Sequence, residues 1–134
     1  MRALRSGLLA VALLGAAAGC GNTDGREDAA VQAASRFAAS LRVKDAVRGC
    51  AALAPGTRDE LEHSSELPCA RALPEAGLPL ARQLRGVDVY GRQARVVTDR
   101  DTLFLSSFPG GWKVTAAGCT PRPEKPYQCR IKGG

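Results

Sequence analysis

Four cysteines, Cys50, Cys69, Cys119 and Cys129, follow a fifth, Cys20, that ends an apolar leader. This set constrains the fold more than any other feature, because each crosslink dictates which segments must be neighbours. With Cys20 set aside, the remaining number is even. In an oxidising compartment an even set reads as a disulfide framework, and four cysteines allow three pairings. The expected pairing is Cys50–Cys69 with Cys119–Cys129. The first pair flanks one compact helical stretch, and the second brackets the proline-rich turn from Thr120 to Pro126. On the chain-entropy model each local loop contributes roughly 3 kcal/mol. A metal or dithiol-redox reading lacks the necessary spacing, since the chain has no C-x-x-C and a single histidine, His63. No metal and no cofactor are expected.

The leader supplies the compartment. Arg2 and Arg5 form a positive start, and Leu8 to Ala18 is an apolar run of 11 residues. A stable membrane crossing needs about 20 residues, so the run has the length of a secretory signal. Ala17, Ala18 and Gly19 directly precede Cys20. Small residues followed at once by a cysteine resemble the lipobox of bacterial lipoproteins, with Ala17 standing where leucine is commoner. That resemblance implies a signal peptide over residues 1–19 and diacylglyceryl transfer to Cys20. It also implies cleavage that makes Cys20 the N-terminus, and attachment to the outer face of the cell membrane. Each buried CH2 of an acyl chain contributes about 0.8 kcal/mol, and two chains hold stably. Residues 20–27, polar and glycine-rich, read as a lipidated tether. The membrane is then the first expected partner.

The segment beyond the leader is long enough for one domain with a real core, and short enough for crosslinks to matter. The chain has 19 basic and 13 acidic residues, and loss of Arg2 and Arg5 leaves a net charge of +4. The arginines and lysines are scattered rather than gathered on one face, so nucleic acid is not an expected partner.

Residues 28–132 carry the domain. From Asp28, the residues Val31, Ala34, Phe37, Ala38 and Leu41 recur at helical spacing. Asp45 can cap a second helix carrying Val47, Cys50 and Leu53. Pro55-Gly56 reads as its end, and Thr57 to Glu60 as a capping box that starts a third helix at Arg58. Pro68, Pro74 and Pro79 divide the next segment into short turns, with one helical turn at Cys69–Leu73. The period then changes to two. Val87 to Tyr90 and Ala94 to Thr98 alternate about a tight Gly91-Arg92 turn. A third strand covers Thr102 to Phe108. Pro109 to Gly111 makes a turn. Trp112, Val114 and Ala116 are expected on one face of a fourth strand ending near Cys119, and a last strand runs from Tyr127 to Ile131. Helices followed by a strand meander define an α+β fold, with N-terminal helices packed on a curved antiparallel sheet of about four to five strands. Phe37 and Leu41 are the expected contacts of Trp112 and Leu103.

This order of elements, with Gly111 to Val114 near the end and Gly118-Cys119 and Tyr127 to Cys129 after it, resembles actinobacterial secreted lipoproteins of the nuclear transport factor two-like superfamily, the cystatin-like cone. The resemblance covers roughly residues 28–132. It implies a cone-shaped cavity, the option of a sheet-to-sheet homodimer, and either of two activities. The first is a noncatalytic domain of the cell envelope that binds a small apolar ligand or another envelope protein. The second is an isomerase or dehydratase. Fold alone does not choose between them. Candidate cavity residues are Asp88, Tyr90 and Trp112. An aspartate with a raised pKa would serve as a base. Asp99 lies in an evident turn, where aspartate is favoured for turn chemistry, and His63 lies near a helix end beside Ser64-Ser65. No catalytic residue is assigned.

Overall fold

The computed structural model describes residues 23–133. The leader, Cys20 and the first residues of the tether lie outside the described residues. Four helices precede an antiparallel sheet, an α+β arrangement. The helices are α1 (Thr23–Arg42), α2 (Ala46–Ala52), α3 (Pro55–Ser65) and α4 (Cys69–Glu75). The strands are β1 (Leu84–Tyr90), β2 (Gln93–Thr98), β3 (Thr102–Phe108), β4 (Gly111–Arg122), β5 (Lys125–Gln128) and β6 (Ile131–Lys132). They pair in the order β1-β2-β3-β4-β5, with β6 beside β4.

Helix α1 begins five residues ahead of the expected start at Asp28, so Thr23 to Glu27 are helical rather than a loose tether. Its 20 residues span about 30 Å. Ala30, Ala33, Ala34, Phe37 and Ala38 are buried. This stripe of alanines lets the helix backbone lie close to the sheet, while Phe37, fully buried, fills the space between them. Phe37 and Leu103 share the core, with Leu41 and Trp112 packed at its margin.

Asp45 caps α2 as expected, accepting from the Arg48 amide at 3.1 Å. Val47 is 72% exposed, however, so the buried stripe of α2 is Gly49 and Cys50 rather than a run that includes Val47. The start of α3 also differs from expectation. Pro55 does not end a helix but opens one, at the first helical position, where its fixed φ is already helical and its missing N–H costs nothing. Thr57 is therefore inside the helix rather than its cap. It is buried, and its hydroxyl donates to the Thr115 carbonyl at 2.9 Å, joining α3 to β4. The disulfide Cys50–Cys69 ties α2 to α4.

The sheet register separates two faces. Val87 and Val89 of β1 pair with Val96 and Ala94 of β2, and these with Leu103 and Leu105 of β3. They line the helix-facing core together with Val114. Strict alternation would add Ala116 to that face. Instead β4 shifts register between its pairings of Leu105 with Val114 and of Phe104 with Ala116. One extra residue flips the side chains that follow it to the other side, until a second shift between the pairings of Phe104 with Ala116 and of Thr102 with Cys119. Ala117 consequently enters the core and Ala116 aligns with Phe104 on the outer face. Strand β4 also runs past Cys119 to Arg122, and the expected single last strand is split into β5 and β6. The disulfide Cys119–Cys129 closes the β4–β5 hairpin.

Candidate functional site

The outer face of the sheet carries a row built by register alone. Asp88 pairs with Arg95, Arg95 with Phe104, and Phe104 with Ala116, across β1 to β4. The Arg95 guanidinium donates twice to Asp88 Oδ2, through Nε at 3.0 Å and Nη2 at 2.5 Å. Its Nη1 reaches the Tyr127 hydroxyl at 3.4 Å. The Tyr127 ring, carried back over the sheet by β5, meets Phe104 edge to face with centroids 5.0 Å apart. The Asp88 carboxylate, then the Tyr127 hydroxyl, raise the pKa of Arg95 further above its ordinary value. Asp88 is thus a partner of an arginine that never loses its proton, in a half-exposed ion pair.

The three candidate cavity residues do not come together. Asp88 and Tyr90 share the outer face, and Tyr90 is 64% exposed. Trp112 pairs with Ser107 and packs against the core margin on the opposite side, where it lines a groove with α1 and α2. The period of two puts residues 88 and 90 on one side, and the same two-residue step from core-facing Val114 puts Trp112 on the other. Phe37, Leu73, Val96, Leu105 and Val114 are buried between the sheet and the helices.

The turn aspartates have structural partners. Asp99 Oδ1 accepts from the amides of Arg82 at 2.9 Å and Gln83 at 3.2 Å, and these bonds hold its carboxyl below the usual carboxylate range. Asp101 Oδ2 accepts from the Gly118 amide at 2.9 Å, and Oδ1 from the Thr98 hydroxyl at 2.7 Å. His63 is exposed on α3. Among the described residues no group of histidine, cysteine, aspartate and glutamate is placed to hold a metal ion, and no helix is long and apolar enough to cross a membrane.

Two surface grooves flank the C-terminal half of α1, and they share Ser40. The Trp112 groove, about 460 Å³, is lined by Arg36, Arg48 and Lys113 among small and apolar residues. Lys113 Nζ donates to the Ala51 carbonyl at 2.8 Å, which fixes one of its walls. The second groove, about 470 Å³, lies between the α1–α2 corner and the chain from α4 to β1. Leu73 forms its floor, and Leu41, Leu78 and Leu80 its walls. Arg42 Nη1 donates to the Ala81 carbonyl at 2.6 Å and so straps the segment after α4 to the last turn of α1. Leu78 lies against Gly118, where an added Cβ would stand 3.0 Å from its Cδ2.

The chain matches no family model, no curated protein and no solved structure. Its site is therefore defined by this geometry. Sequence reasoning missed Lys44, Leu78 and Leu80, because the groove joins segments that lie well apart along the chain. It also missed the Arg95–Tyr127 contact. Half of that row had a signal, since a tight Gly91-Arg92 turn already sets Asp88 opposite Arg95.

Proposed function

We propose that the chain is an exported lipoprotein, held on the outer face of the cell membrane through acylated Cys20, whose residues 28–132 form a noncatalytic binding domain of the cell envelope. The observation that carries this reading is the pairing of the four later cysteines among themselves. By count it leaves Cys20 as the odd sulfur, at the residue where the leader's small side chains end. Disulfides of this kind persist where the surroundings are oxidising. The order of four helices and then a meander fits the nuclear transport factor two-like type, with the interior closed by side chains.

The binding reading is favoured over an isomerase or dehydratase by where the eligible groups lie. A general base has to reach a bound substrate from within a site. Asp88 is engaged by Arg95 on the outer face, and Asp99 by two backbone amides. The grooves that flank α1 have carbon walls with a few basic side chains, the composition of a ligand or partner surface.

Metabolic labelling with palmitate tests the anchor. The wild-type chain is expected to take up label and to fractionate with membranes, and the unprocessed form is expected to accumulate under globulomycin. Label retained by a Cys20→Ala chain would refute the anchor.

A further inference from the structure

The groove between the α1–α2 corner and the segment after α4 combines four features. Its volume of about 470 Å³ lies inside the range of roughly 300–1,000 Å³ that small-molecule sites occupy. Its surface is mostly carbon, from Leu41, Pro74, Leu78 and Leu80, over the buried Leu73. Leu80 is 51% exposed, a large apolar side chain held at the rim by the Arg42 strap on its neighbour Ala81. Lys44 is the single charged residue of the lining, and its ammonium makes no ion pair among the described residues.

We infer that this groove binds a long-chain fatty carboxylate, with the acyl chain along the leucines and the carboxylate at Lys44. The inference rests on the binding-domain reading above and gives it a ligand class. The side chains of the lining offer an extended peptide few hydrogen bonds. The Ser40 hydroxyl already donates to the Phe37 carbonyl at 2.6 Å, and Pro74 has no amide hydrogen. A peptide would depend on the backbone of Gly77 to Leu80 for its hydrogen bonds. An acyl chain has none to satisfy. Charge complementarity selects the head group. The lining holds one free cation and no carboxylate, and the nearest acidic residue in sequence, Asp45, is occupied by Arg48 at 3.3 Å. A charge-assisted contact to an anionic head completes a site whose one charged side chain is positive.

Photo-cross-linking in cells that produce the full chain tests this directly. The probe is palmitate carrying a chain diazirine and a terminal alkyne. After irradiation the chain is digested and its adducts are mapped. The expected result is an adduct with the mass of one free fatty acid on the peptides containing Leu41 and Leu73 to Leu80. Lys44→Gln is expected to lower that yield several-fold while leaving the yield with the corresponding fatty-alcohol probe unchanged. Leu80→Asp is expected to abolish both. Residues 44 and 80 are both exposed, and formation of both disulfides with an unchanged circular-dichroism spectrum reports that each variant has folded. Adducts absent from these peptides would overturn the inference, as would equal loss of acid and alcohol in Lys44→Gln. A crosslink joining the Cys20 peptide to the groove peptides would also overturn it, since the occupant would then be the anchor. The anchor is read separately, from metabolic label on the Cys20 peptide itself. Loss of that label sinks the lipoprotein reading, whereas loss of the groove adduct sinks only the ligand.

Discussion

A single added methyl at Gly49 sets two physical effects against each other. Gly49 lies in the middle of α2 and is buried. Alanine there gains about 0.8–1.0 kcal/mol of helix propensity. The new Cβ, however, would stand 2.6 Å from Leu73 Cδ2 and 3.1 Å from Ser40 Oγ. Neither neighbour can yield cheaply. Leu73 is 1% exposed, and the Ser40 hydroxyl is committed to the Phe37 carbonyl. Overpacking of this kind costs about 1–3 kcal/mol, so Gly49→Ala is expected to destabilise by about 1 kcal/mol net. Gly56, in the first turn of α3, is the internal control, because an added Cβ there meets nothing within 4 Å. Gly56→Ala is expected to stabilise by up to about 1 kcal/mol through propensity and lost unfolded-state entropy. Urea denaturation of both variants under non-reducing conditions measures the two signs, and thermal melts should separate by several degrees. In a domain of this size about 1 kcal/mol corresponds to roughly 4–8 °C. Equal stabilisation by the two substitutions would refute the close packing of α2 on Leu73.

Three further outcomes follow from the same structure. Replacing either cysteine pair by alanines is expected to cost about 3 kcal/mol on the chain-entropy model, and non-reducing peptide mapping that linked Cys50 to Cys119 would refute the pairing itself. Thr57→Val removes the hydrogen bond to the Thr115 carbonyl and is expected to destabilise by about 1–2 kcal/mol, whereas Thr57→Ser is expected to retain most of the stability. If Thr57 were instead an N-cap, the loss would appear as fraying of α3 in amide exchange, with β4 protection unchanged. Asp99 has a lowered folded-state pKa, so its contribution to stability is present above the unfolded carboxylate pKa and is lost as pH falls through the folded value. The stability difference between wild type and Asp99→Asn is therefore expected at neutral pH and should vanish in acid, and a difference that grew as pH fell would contradict the two amide bonds.

Much of the architecture could be read from short stretches of chain. The switch from a helical period to a period of two separates α1–α4 from the meander. Gly91-Arg92 sets the β1–β2 register, and with it the meeting of Asp88 and Arg95. The Asp45 cap and the bounds of β3 rest on equally local chemistry. Pro55 was misleading because a proline that ends one helix and one that opens the next look alike until the chain on both sides is placed. The first shift in β4 had no marker either, since both Ala116 and Ala117 fit a buried position.

Helix and strand periods, turn residues and sulfur count act over a few residues, so the class of the fold and the placing of its turns were already present in the linear chain. The faces beyond the β4 register shift, the role of Thr57 and the leucine groove around Lys44 came only with packing. Each depends on segments tens of residues apart meeting in space, and the free energy of such a meeting is a property of the whole assembled core rather than of any stretch within it.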